Sequence, residues 1–159
     1  MPALEAAPAP AASLSLTQTR VIRAPRARVF EAWTDPEMMQ LWFSSASSIS
    51  IDPRVGGSYR IEASPCEEGP GSEKAVGNAE PRVSKGQYTR IVPNELLQFT
   101  WQPCWSAGEN SLVTVSLRDV PGGTELTLLH EKFASVESRD GHDAGWARLL
   151  DNLGAKLAG

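Results

Sequence analysis

The last stretch of the chain places the tightest limit on its fold. From Trp146 the apolar residues recur at Leu149, Leu150, Leu153 and Leu157, the i, i+3, i+4, i+7, i+11 spacing of one helical face. Arg148, Asp151, Asn152 and Lys156 occupy much of the rest. Most of the preceding sequence is strand-like. A single amphipathic helix that follows several strands buries its stripe against the sheet they form. The bulk of Trp146 then sets how far helix and sheet stand apart, and so whether a pocket remains between them.

The upstream pattern supplies that sheet. Leu14 to Ile22 is rich in Thr and Val and reads as a strand. Ala24-Pro25 opens a short helix with Val29, Phe30 and Trp33 on one side. Thr34-Asp35-Pro36 ends it and starts another, with Asp35 as N-cap, Pro36 in the first helical position and Glu37 complementing the helix dipole. Met38, Met39, Leu41, Trp42 and Phe43 make this second helix apolar for its length. Strand patterning begins at Ile49 and Ile51 and resumes beyond the Gly56-Gly57 turn in Ser58 to Glu62. It continues through Val83 to Val92, then in the alternating sets Leu97, Phe99, Trp101; Val113, Val115, Leu117; and Leu126, Leu128, His130. Residues 64–81 break all periodicity and read as a long loop, either a surface insertion or a lid. The closing helix is expected from near Ser138. The resulting order is β-αα-β(several)-α. That is an α+β domain, a curved antiparallel sheet around a long C-terminal helix with two short helices after the first strand. Residues 1–13 read as a disordered tail and 14–159 as one domain.

Composition narrows the function classes. With 41% hydrophobic and 21% charged residues the chain is of globular type. A net charge of −4 and the absence of a Lys/Arg cluster argue against a nucleic-acid partner. No apolar run approaches the ~18 residues of a membrane span, and the Ala/Pro-rich start has no signal-peptide pattern. Cys66 and Cys104, without neighbouring Cys or His at metal spacing, read as free thiols in a reducing cytoplasm. Two distant histidines offer no metal site, no cofactor is implied, and no Gly-x-Ser-x-Gly elbow is present.

Several segments carry a resemblance in order and at matching spacings. They are Arg23-Ala24-Pro25 with Val29-Phe30-Glu31-Ala32-Trp33-Thr34-Asp35-Pro36, Leu41-Trp42-Phe43, Arg54-Val55-Gly56-Gly57-Ser58-Tyr59, and Gly86-Gln87-Tyr88 leading to Ile91 through Trp101. Gly123 through His130 and Gly145-Trp146 complete the set. Together they make the chain similar to the activator-of-Hsp90-ATPase C-terminal-like branch of the START-like (SRPBCC, Bet v 1-like helix-grip) superfamily. The resemblance implies an antiparallel sheet gripping the C-terminal helix around an apolar cavity. Eukaryotic Hsp90 activators pair this domain with an N-terminal one, for which these residues leave no room. The fold alone does not carry a function.

Trp33, Trp42, Phe43, Tyr59, Tyr88, Phe99, Trp101 and Trp146 lie on elements that line a helix–sheet interior. An empty cavity of ~400 Å³ would cost about 10 kcal/mol at ~24 cal/mol per Å³, comparable to the ~5–15 kcal/mol stability of a whole domain. Either the aromatics close the space, or water or a ligand fills it. Leu150 joins the expected wall, and Tyr59, Tyr88 and Arg90 are the polar groups placed to meet a ligand. His130 shares strand parity with Leu126 and Leu128 and is expected to point inward near the cavity mouth. There it could orient a ligand, act as acid or base, or simply pair with backbone. His142 reads as a solvated first-turn residue. Three functions stay open. One is binding of a small hydrophobic or aromatic molecule. The second is a co-chaperone-like or regulatory module with a chaperone or other protein partner. The third is a polyketide-cyclase-like enzyme using His130. Free strand edges leave a homodimer open as well.

Overall fold

The computed structural model describes residues 14–43, 46–63, 82–102 and 110–158. The expectations for residues 1–13, for the 64–81 loop and for Cys66 and Cys104 lie outside them. Strand β1 (Leu16–Ile22) leads into α1 (Arg26–Thr34) and α2 (Pro36–Trp42). Strands β2 (Ala46–Ile51), β3 (Ser58–Ala63), β4 (Arg82–Val92), β5 (Leu96–Trp101), β6 (Ser111–Val120) and β7 (Gly123–Glu131) follow, and α3 (Val136–Ala158) closes the chain. The seven strands form one curved sheet in the order β1-β7-β6-β5-β4-β3-β2, every pairing antiparallel. This is the expected helix-grip architecture.

Local chemistry accounts for the helical elements. The Asp35 carboxylate accepts from the Glu37 backbone N–H at 2.9 Å, with Pro36 beside it in the first turn. Trp42 folds back across the joint, its indole N–H donating to the Ala32 carbonyl at 2.9 Å. The Asp35 cap is exposed, so Asp35→Ala is expected to lower stability by about 1 kcal/mol. Urea unfolding should show a lower midpoint at unchanged slope. Helix α3 begins at Val136, slightly before the expected Ser138. Ser135 acts as its cap, its hydroxyl accepting from the Ser138 N–H at 3.0 Å.

The stripe of α3 lies against the concave face of the sheet. Trp146, Leu149, Leu150, Leu153 and Leu157 are all buried there. Strand alternation supplies the opposing wall: Leu97, Phe99 and Trp101 from β5, Val113, Val115 and Leu117 from β6, and Leu126, Leu128 and His130 from β7. At the sheet edge, Gln18 of β1 donates to both the backbone and the side-chain oxygen of Asp143, each at 2.7 Å. Arg20 pairs with Asp151 at 3.0 Å. These contacts fix the axial position of α3 along β1.

Strand β4 departs from regular alternation in two places. At Gly86 the backbone runs so close to β5 that an added Cβ would lie 1.9 Å from the Thr100 carbonyl oxygen. The Tyr59 hydroxyl also lies 2.7 Å from where that Cβ would stand, and it donates to the Thr100 carbonyl at 2.6 Å. Two residues later the register shifts between Tyr88 and Arg90, which oppose Phe99 and Gln98. A bulge of this kind reverses the side-chain parity beyond it.

Candidate functional site

The helix–sheet interior is a continuous aromatic cluster. Trp33 of α1 packs on Trp42 of α2, on Phe99 of β5 and on Trp146 of α3, with ring centroids 4.7, 6.4 and 6.0 Å apart. Tyr59 meets Phe99 edge-on at 5.3 Å and lies 5.6 Å from Tyr88. Trp101 sits 5.7 Å from Trp146. Such contacts stabilise beyond the area they bury. Among the described residues the aromatics fill most of this interior, and the two hollows they wall are small, of about 20 and 10 Å³. At ~24 cal/mol per Å³ the two together cost under about 1 kcal/mol.

Phe43, Trp101 and Trp146 wall both hollows. The first also touches Ser84, His142 and Leu149. The second is bounded by Trp33, Met39, Tyr59, Ile61, Tyr88 and Phe99. Among these described residues no side chain is formally charged at neutral pH. The Trp33 indole N–H is buried and finds no hydrogen-bond partner among the described residues. Burial raises the hydroxyl pKa of Tyr59 well above its usual value, with a smaller contribution from Tyr88. The Tyr88 hydroxyl is raised likewise, first by burial and then by Asp52.

Beside the aromatics lies a polar chain whose direction follows from its donors. An indole N–H can only donate. Trp146 Nε1 therefore donates to His130 Nδ1 at 2.9 Å, which leaves the His130 proton on Nε2. From there it donates to the Ser111 hydroxyl at 2.7 Å, and Ser111 donates to the Trp101 carbonyl at 3.2 Å. Trp101 Nε1 donates to His142 Nε2 at 3.0 Å, so His142 carries its proton on Nδ1 and donates to the Ser138 carbonyl at 2.8 Å. Both imidazoles are thus neutral, in opposite tautomers, with their rings 4.8 Å apart. Burial holds the His130 pKa well below the usual histidine value, and the neighbouring His142 lowers it further.

The candidates of the sequence fall into three groups. Trp33, Tyr59, Tyr88, Phe99, Trp101 and Trp146 converge on the second hollow. Trp42, Leu150 and His130 are buried in the same core but line neither hollow. Arg90 is exposed. The bulge between Tyr88 and Arg90 breaks the parity that would have turned both inward. His130 does point inward, yet it is fully buried rather than set at a mouth, and its partners are side chains rather than backbone. His142 corrects the sequence reading outright: it is only 3% exposed. It stands four residues before Trp146 and so shares the buried stripe, and extending the spacing backwards would have placed it there.

Two further observations concern function classes. No helix among the described residues is long and apolar enough to cross a membrane. Nor do the described residues place three or more His, Cys, Asp or Glu together as a metal site.

Residues 23–158 match the family model described as activator of Hsp90 ATPase homolog 1-like protein. The chain belongs to that family. Solved structures give the Hsp90-activator-like domain the same outline. Protein CV1439 from Chromobacterium violaceum is 23% identical, with 90% of this chain and 96% of that one covered at a TM-score of 0.72. Mll3558 from Rhizobium loti is 27% identical over 90% of this chain and 96% of its own, at 0.71. CalU16 from Micromonospora echinospora is 26% identical over 90% and 75%, at 0.67. No curated protein matches the chain.

Proposed function

We propose that this member of the Hsp90-activator-like family is a binding module that holds a small apolar or aromatic molecule between the sheet and α3. The observation that carries this reading is the buried indole N–H of Trp33, which has no partner among the described residues, on a residue that lines an aromatic hollow. A buried donor without a partner costs about 1–3 kcal/mol. An occupant that accepts from it recovers that energy while filling the space. The hollows hold no ligand-sized molecule as they stand, so entry requires movement of their shared wall. Displacement of Phe43, Trp101 or Trp146 joins the two.

Acid–base catalysis by His130 is not favoured. Each of its ring nitrogens already has a protein partner, and burial keeps it neutral. A surface docking role has less support too. Among the described residues the exposed large apolar side chains Val21, Leu41, Val55, Val92 and Val136 are spread over separate elements and turns, whereas a docking face would be contiguous.

Titration of ¹⁵N-tryptophan-labelled protein with isopropylbenzene tests the reading. Saturable shifts of the Trp101 and Trp146 indole signals at one-to-one stoichiometry are expected. No saturable shift up to the probe's solubility limit would remove the interior as a binding site.

A further inference from the structure

Resting on that reading, we propose that the natural occupant is an uncharged aromatic molecule bearing a hydrogen-bond acceptor, in the simplest case a carbonyl oxygen, set against Trp33 Nε1. Three independent features of the hollow select this chemistry.

The first is the direction of the open hydrogen bond. Indole is donor-only, so the group that satisfies Trp33 must accept. A hydroxyl or amine can meet it only through a lone pair, and a plain hydrocarbon leaves it unmet. The second is shape. Trp33, Tyr59, Phe99, Trp101 and Trp146 face the space as rings. A planar ring gains edge-to-face and offset contacts there that a branched aliphatic chain cannot.

The third is charge. A carboxylate would be a stronger acceptor than a ketone, but the described lining offers it no cation. The titratable bases buried in the same core are His130 and His142. Each accepts a tryptophan N–H through one nitrogen and donates to a protein oxygen through the other. Neither can become a counter-ion without breaking its indole bond. The phenols of the site already report how it treats an anion. Burial opposes ionisation of both Tyr59 and Tyr88. Burial likewise opposes the charged form of His130. An ion of either sign entering unpaired meets the same penalty.

Acetophenone, isopropylbenzene and benzoate share a ring and a three-atom branch and differ in this chemistry. With the full-length protein at neutral pH, acetophenone is expected to move the Trp33 indole proton to lower field on saturation. Isopropylbenzene should occupy the site without that shift. Benzoate should bind at least about 100-fold more weakly than acetophenone. In Trp33→Phe, acetophenone should weaken by about fivefold relative to isopropylbenzene, the contribution of one hydrogen bond. Isopropylbenzene binding by the variant also shows that the variant has folded, and the wild-type shifts stand without it. If isopropylbenzene binds but acetophenone leaves the Trp33 proton unmoved, or benzoate binds as well as the ketone, this inference is overturned and the binding module stands. If none of the three binds, both fall.

Discussion

Trp146→Ala is expected to lower stability by about 3–5 kcal/mol through lost burial and the cavity left behind, with a further ~1–3 kcal/mol because His130 Nδ1 loses its donor in a buried place. Against a domain stability of about 5–15 kcal/mol, that loss leaves little of the native state in reserve. The reason lies in the position of the ring. Trp146 is the residue of α3 that contacts both Trp33 and Trp101, walls both hollows and donates to His130. Removing it leaves a void between helix and sheet and breaks the polar chain at its first link. Trp146→Phe keeps a ring in the stripe and removes only the donor and part of the volume. It should cost less than half as much. Urea unfolding of the two variants measures the difference through their midpoints. A loss below about 2 kcal/mol for the alanine variant would mean that Trp146 does not seat the helix as described.

The fold was readable because its signals are local and repeat. The Leu stripe of α3, the Asp35-Pro36 joint and the alternation in β5, β6 and β7 each depend on residues a few positions apart. The site depends on exceptions to that regularity. Arg90 is a polar group two residues from the inward Tyr88, and its direction turns on whether a bulge lies between them; pairing with β5 places one there and turns Arg90 outward. From the sequence His142 reads as a solvated residue of the helix's first turn, because its type suggests solvent. Its spacing from Trp146 says otherwise, but that only becomes decisive once Trp101 is seen to supply the buried donor. Ser111 carried no signal at all in the sequence. Its role exists only because β6 lies beside β7 and brings its hydroxyl to His130. The unpartnered Trp33 indole is likewise a property of packing, invisible to any pattern along the chain.

The His130 arrangement also makes a quantitative statement about acid. Unfolded histidine titrates near ~6.5, and in the native protein burial and His142 hold His130 well below that. At pH values under ~6.5 the unfolded chain therefore binds a proton that the native state refuses. The stabilisation is complete above ~6.5 and is lost as the pH falls toward the native pKa, at up to ~1.4 kcal/mol per pH unit for this group. The structural cause is specific. Protonation puts a hydrogen on Nδ1, where Trp146 already donates, so the two donors collide unless the helix or the ring moves. His130→Asn keeps an acceptor near the indole and cannot titrate. It should lower stability at pH 7 while flattening the dependence between pH 6.5 and 5.5, a window above the ordinary carboxylate range. Unfolding midpoints collected across that window give the slope. A wild-type slope no steeper than that of the variant would mean that His130 takes up its proton in the folded protein at no cost, and the neutral Trp146–His130–Ser111 chain would have to be abandoned.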